Sequence, residues 1–188
     1  KLIEEGQNKK LLLDAIPQDD PAVYEMIGRG DTLGLFQLES TGFRRFMREL
    51  KPTGFEDIIA GISLYRPGPM DSIPLYIRNK YAKDQIVYKD DKLKPILEVT
   101  YGCLVYQEQV MRIVRELAGY SYGRSDRVRR AMSKKKMDAM ETERAYFIHG
   151  TVAENGSIEL PGCVRRGVPA DVASEIFDDM VDLTKYAF

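Results

Sequence analysis

Phe43, Phe46, Met47 and Leu50 stand three and four residues apart, and the same spacing returns along most of the chain. Apolar side chains at that period line one face of a helix, so the core must be built chiefly from amphipathic α-helices. Ser40 or Thr41 can cap the helix that carries these four residues, Arg44, Arg45 and Arg48 turn away from its apolar face, and Pro52 ends it. Ahead of it, Ala22, Tyr24, Met26 and Ile27 predict a short helix opened by Pro21 and closed by Gly28 and Gly30. Leu33, Leu35 and Phe36 between the two read as a short extended segment. A further helix is expected over 55–64 with Ile58, Ile59 and Ile62 inward, and others over 73–81, 104–118, 124–132, 137–149 and 169–183. Gly119 and Gly123 bracket the Tyr120-Ser121-Tyr122 turn, and Met140, Ala145, Phe147 and Ile148 form the apolar face of the 137–149 helix.

Three stretches break the period. Pro67 and Pro69 around Gly68 exclude helix and central strand for Tyr65-Arg66-Pro67-Gly68-Pro69-Met70 and make it a stiff, shaped loop. The charged stretch 83–94 reads as a surface loop. Residues 151–167 lose periodicity, and Asn155-Gly156 and Pro161-Gly162 are turn signals that admit a small β-hairpin. The expected organisation is a lead-in with a short helix over 1–31, a core over 32–150, an irregular insert over 151–168 and a truncated helix over 169–188. The fold class is mainly α, an irregular multi-helix domain with stiff Pro/Gly loops. Because the chain opens at Lys1 and stops at Phe188 inside an apolar-periodic stretch, it is expected to be a piece of something longer.

Composition removes several functions. The 188 residues carry 28 Lys and Arg against 29 Asp and Glu, so a general cationic coat for nucleic acid is excluded and any anion site must be local. Two cysteines 60 residues apart and one histidine, His149, fit a reducing cytosol and leave neither a disulfide framework nor a Cys- or His-rich metal site. His149 is expected to cap or pack at its helix end. No apolar run approaches the roughly 18 residues of a membrane span. The adjacent carboxylates Asp19-Asp20, Glu56-Asp57, Asp90-Asp91 and Asp178-Asp179 point in different directions and read as surface charge.

The local concentration lies at 124–136. Arg124, Arg127, Arg129, Arg130, Lys134, Lys135 and Lys136 face Asp126 alone, a surplus of six in a chain whose net charge is −1. On a helix Arg127 and Arg130 share a face, with Lys134 a turn beyond, while Val128 and Met132 anchor the opposite side. Such a group suits a triphosphate or a DNA phosphate, because guanidinium is a bidentate donor and lysine a mobile point charge. The same residues also fit a solvated basic face or a partner for Asp178 and Asp179. Tyr106, Gln107 and Gln109 open the 104–118 helix and could stack on a base or bond its edge, or simply pack and cap locally. Arg66, held in the stiff loop, could present its side chain reproducibly or satisfy nearby carbonyls.

Four stretches in this order resemble the alpha subunits of bacterial DNA polymerase III, the C-family replicative polymerases of DnaE-like form. They are Gly34-Leu35-Phe36-Gln37-Leu38-Glu39-Ser40, Leu64-Tyr65-Arg66-Pro67-Gly68-Pro69-Met70, the run from Val105 to Met111, and Arg129-Arg130-Ala131-Met132-Ser133-Lys134-Lys135-Lys136. Ser133 stands where that family often carries glycine. The resemblance implies a fingers domain that closes over the incoming deoxynucleoside triphosphate, with residues 32–150 its core. It implies that Arg129, Arg130, Arg127, Lys134 and Lys135 bind the triphosphate, and that Tyr106, Gln107, Gln109 and Arg66 wall the nucleotide and template pocket. The full-length protein would be a DNA-directed DNA polymerase (a nucleotidyltransferase) of the bacterial cytoplasm. Its partners would be primer–template DNA, dNTP and other replicase subunits. Its Mg²⁺ ligands would lie outside this chain, leaving the isolated piece without catalytic residues and inactive. The alternatives from the residues alone are a non-catalytic DNA-backbone binder and a helical protein-interaction module.

Overall fold

The computed structural model describes residues 2–10, 12–67, 69–133 and 137–187. Among these the fold is mainly α, with one two-stranded antiparallel ribbon. No helix among the described residues is long and apolar enough to cross a membrane. The chain divides into two compact units, with the boundary between Ile59 and Ala60.

The N-terminal unit contains α1 (Leu2–Gln7), α2 (Pro21–Gly28) and α3 (Thr41–Leu50). In α2, Pro21 sits in the first turn and the Asp20 carboxylate accepts from the Ala22 N–H at 2.9 Å. Ser40 Oγ caps α3 by accepting from the Phe43 N–H, and Phe43, Phe46, Met47 and Leu50 are all buried. All three arginines expected to turn away have partners, Arg45 pairing with Glu49 at 3.2 Å. Arg44 Nε donates to the Gly30 carbonyl at 2.6 Å and Arg48 Nε to the Arg29 carbonyl at 2.9 Å. They satisfy carbonyls left open at the end of α2, where its dipole favours a cation.

The segment at Leu33–Phe36 corrects the expected extended reading. Gly34 at φ 83° and Gln37 at φ 65° force consecutive turns, closed by Leu35 N–H to Thr32 carbonyl and Leu38 N–H to Leu35 carbonyl bonds. Leu33 and Phe36 consequently lie 82% and 86% exposed. The helix α4 (Phe55–Leu64) has the expected bounds, yet only Ile58 of its three isoleucines is buried, with Ala60 and Leu64. The buried side of α4 is set by Asp57, Ala60, Gly61 and Leu64 at i, i+3, i+4 and i+7, and Ile59 points to the opposite side.

The C-terminal unit holds α5 (Ile73–Tyr81), α6 (Lys94–Leu97), α7 (Gln107–Ala118), α8 (Tyr122–Ser133), α9 (Met137–His149), α10 (Gly162–Arg165) and α11 (Ala170–Ala187). Residues Tyr65 to Pro67 are irregular and lead into a 3₁₀ turn at Pro69–Ser72. The stretch after α5 is a loop carrying two more 3₁₀ turns, Lys83–Gln85 and Asp91–Leu93. Two expected boundaries shift. Helix α7 starts at Gln107, not at 104, and α8 starts at Tyr122, which puts Gly123 inside a helix. Gly119 at φ 81° alone makes the left-handed stop.

The core is one cluster. Val110, Ile113, Val114 and Leu117 of α7 meet Val128 and Met132 of α8, Phe147 of α9, and Ala173, Ile176, Phe177 and Met180 of α11. Ala145, expected on the apolar face of α9, is exposed. The expected hairpin is present as β1 (Thr151–Val152) and β2 (Ile158–Leu160), with Thr151 opposite Leu160 and Val152 opposite Ile158. Asn155 Oδ1 accepts from the Ser157 N–H and Gly156 is left-handed at φ 81°.

At the base of that hairpin two backbones touch. A Cβ on Gly150 (φ 77°) would lie 2.1 Å from the Leu160 carbonyl oxygen, and one on Gly162 (φ 72°) 2.2 Å from the Gly150 nitrogen. Neither contact can yield by moving a side chain. Gly150→Ala is expected to cost about 2–4 kcal/mol, lowering Tm by roughly 5–15 °C, as read by circular dichroism. An unchanged melt contradicts this packing.

Candidate anion-binding site

The site forms where α7 and α8 run antiparallel. Its foundation is Gln109, 5% exposed. Gln109 Oε1 accepts from the Val105 and Tyr106 N–H groups at 2.8 and 2.9 Å. Its Nε2 donates to the Ile96 carbonyl at 3.2 Å and to Thr100 Oγ1 at 2.7 Å. Thr100 Oγ1 in turn donates to the Cys103 carbonyl at 2.6 Å. One amide therefore fixes the 96–106 connection onto the first turn of α7, satisfying the backbone N–H groups of the N-cap Tyr106 and of Val105 before it. Gln109 thus faces the interior, which corrects its reading as a pocket wall in favour of local capping. Tyr106 is the N-cap, half-buried, with extended backbone.

Gln107, two residues earlier, turns outward and accepts from Arg129 Nη1 at 2.9 Å. Arg129 also donates from Nε and Nη2 to Asp126 Oδ1, at 3.1 and 2.7 Å. The other oxygen of the same carboxylate, Oδ2, pairs with Arg130 Nη2 at 2.7 Å. The Arg129 side chain is 24% exposed, Asp126 31% and Arg130 66%. Asp126 neutralises one of two guanidinium charges, and Arg127 beside them is exposed. The group keeps a positive surplus while both guanidiniums are oriented. Hydrogen bonding from Arg129, then the bond and charge of Arg130, hold the Asp126 carboxyl below its ordinary 3.8. Val128 and Met132 are buried at 1% and 2%, as the spacing predicts, and keep this face outward.

The remaining candidates separate. Arg124 lies between the rings of Tyr120 and Tyr146, 4.8 and 5.0 Å from their centroids, and faces Glu143 at 3.5 Å. Tyr120 donates to the same Glu143 at 3.0 Å, and burial pushes its hydroxyl far above the usual range. Arg124 thus fastens the α7–α8 turn to α9 and leaves the anion cluster. Arg66 is exposed on the loop before the Pro69–Ser72 turn, outside the bonds joining Gln107, Asp126, Arg129 and Arg130. Lys134, Lys135 and Lys136 lie outside the described residues, as does Gly68. Asp178 pairs with Arg144 and Asp179 with Lys89, so those acids have cations other than the 124–136 cluster. Asp126 as a bridge was missed in the sequence, although its offsets of three and four from Arg129 and Arg130 are the signal for it.

Among the described residues no three or more His, Cys, Asp or Glu side chains are grouped to hold a metal ion. His149 ends α9 and is exposed. Cys103 and Cys163 are free and buried, with burial raising their thiols to about 11 and about 12.

Comparison with known proteins adds a family. Residues 1–155 match the bacterial DNA polymerase III alpha subunit finger domain. The DNA polymerase III subunit alpha of Bacillus subtilis is 41% identical over 187 residues, all of this chain and 16% of that protein. Its namesake from Thermus aquaticus is 42% identical over 193 residues, covering 100% of this chain and 15% of the relative. That of Staphylococcus epidermidis is 42% identical over 186 residues, 99% of this chain and 16% of the relative. The chain spans about one sixth of the length of these proteins.

Two measurements check the site. The Asp126 carboxyl, followed by NMR, should titrate below 3.8, and Arg129→Ala should return it toward that value. The sign follows from the depressed pKa: this pair contributes stability at neutral pH that is lost as pH falls through the folded-state value. An Asp126 indifferent to Arg129 contradicts the shared bridge. In urea, Gln109→Ala should cost about 2 kcal/mol or more, because buried N–H groups lose their acceptor, whereas Gln107→Ala should stay within about 0.5 kcal/mol. Equal effects would contradict the inward and outward assignments.

Proposed function

The chain belongs to the finger-domain family of bacterial DNA polymerase III alpha subunits, and from that premise we propose that it binds the triphosphate of an incoming deoxynucleotide on the outer face of α8. Arg129 and Arg130 meet the phosphate oxygens, Arg127 adds charge beside them, and Lys134 and Lys135, which follow α8 in the sequence, contribute further charge. Tyr106 and Gln107 border the base and contribute to the check on the nascent pair, as does Arg66 from its own loop. Gln109 acts behind them as a positioning residue.

One observation carries this reading: two guanidiniums share the single carboxylate of Asp126, with Arg129 also bonded to Gln107. The Asp126 bridge reaches solvent through Arg130, 66% exposed, where exchanging one anion for another costs little, so phosphate oxygens can displace Asp126. The donors are then already aimed, and Arg129 can present its fork of N–H groups to two oxygens of one phosphate.

In the reaction the primer 3′ oxygen bonds to the α-phosphorus as the bond to the bridging oxygen breaks, and pyrophosphate leaves with added negative charge. Guanidiniums fixed beside the β- and γ-phosphates stabilise that charge as it develops, so they act on rate as well as affinity. The Mg²⁺ of such an enzyme is expected on ligands outside this chain, as the family resemblance implies. Primer–template DNA, dNTP and other replicase subunits are the partners this role entails, in the bacterial cytoplasm.

In the full-length subunit, Arg130→Ala should raise the nucleotide KM or lower kcat by at least about tenfold, on the order of 1.4 kcal/mol. Near-normal incorporation overturns the assignment. So does weaker binding of primer–template with a shallower salt dependence and unchanged nucleotide kinetics, the signature of a lost DNA-backbone contact.

A further inference from the structure

A second feature lies on the same face. Tyr122, Asp126 and Arg129 occupy positions zero, four and seven of one helical stripe on α8. Gln107 meets Arg129 at one end of the α7–α8 pair, and Arg115 meets Tyr122 at the other. The Arg115 guanidinium lies 3.4 Å from the Tyr122 ring centroid, stacked on one side of the ring. Tyr122 nonetheless remains 70% exposed, so its other side faces water.

Arg115 brings its charge to the ring itself. The acids nearest in sequence, Glu116 and Asp126, are paired, with Arg112 and with Arg129 and Arg130 respectively. A flat aromatic surface immobilised from behind by a guanidinium suits a planar group on an anionic chain. Stacking there loses little side-chain freedom, because the arginine already holds the ring.

We infer that Tyr122, backed by Arg115, is a stacking platform for an unpaired base of single-stranded DNA, the template strand ahead of the paired primer. Stacking on an exposed aromatic beside basic residues is the general means of holding such a strand. This rests on membership of the polymerase family and not on which residues bind the triphosphate.

The test uses the full-length subunit and two DNAs, one with a 5′ template overhang and one blunt, at a single salt concentration. Tyr122→Ala should weaken overhang binding by at least about fivefold and leave blunt-duplex binding unchanged. Tyr122→Phe should bind the overhang like wild type. An overhang carrying 5-iodouracil should photocrosslink at Tyr122. Wild-type overhang affinity in Tyr122→Ala, an equal loss on both DNAs, or a loss in Tyr122→Phe matching that in Tyr122→Ala each overturns the platform. None of these outcomes touches the triphosphate assignment, which is read from the nucleotide kinetics of Arg130→Ala.

Discussion

Val114 and Leu117 of α7, both fully buried, and Val128 and Met132 of α8, nearly so, lie in one apolar cluster. Every polar contact on the outer face presupposes that packing. Gly119 lets the chain reverse in the left-handed conformation, and α8 returns alongside α7 with its apolar residues inward. With that side taken, Asp126, Arg129 and Arg130 have only the outer surface left. The hydrophobic effect thus decides where the charges go, since apolar burial at about 25 cal/mol per Å² outweighs exposed ion pairs worth at most about 1 kcal/mol.

Polar interactions then divide by burial. Gln109 and Thr100 bond inside the fold, where an unmade hydrogen bond is costly, and they fix the entry to α7. Arg124, between two tyrosines and opposite Glu143, belongs to the same rigid layer. Asp126, Arg129 and Arg130 bond at the surface, where exchanging one anion for another costs little. A rigid inner layer beneath an exchangeable outer one is what the proposed uptake and release of an anionic ligand would require.

Local signals in the sequence recovered much of this. The bounds of α3, α4, α5 and α9 follow from caps, prolines and apolar spacing, and the hairpin from Asn155-Gly156. Features that depend on distant partners were not legible. Nothing local shows that Gln109 turns toward Ile96 and Thr100 while Gln107 turns toward Arg129. The basic run likewise gives no sign that Arg124 belongs to two tyrosine rings and Arg129 to the surface. Leu33 and Phe36 read as extended because their apolar character outweighed Gly34 and Gln37, whose positive φ values make turns. Ile59 reads as inward only if the isoleucines set the face of α4; the buried side is instead that of Asp57, Ala60, Gly61 and Leu64.

The most direct measurement is a crystal structure of the full-length subunit with primer–template and a non-hydrolysable deoxynucleoside triphosphate. The account predicts β- or γ-phosphate oxygens within about 3 Å of the guanidinium nitrogens of Arg129 or Arg130, with at least one of them released from Asp126. A triphosphate held elsewhere, with both arginines still on Asp126 and Arg129 still on Gln107, would contradict it.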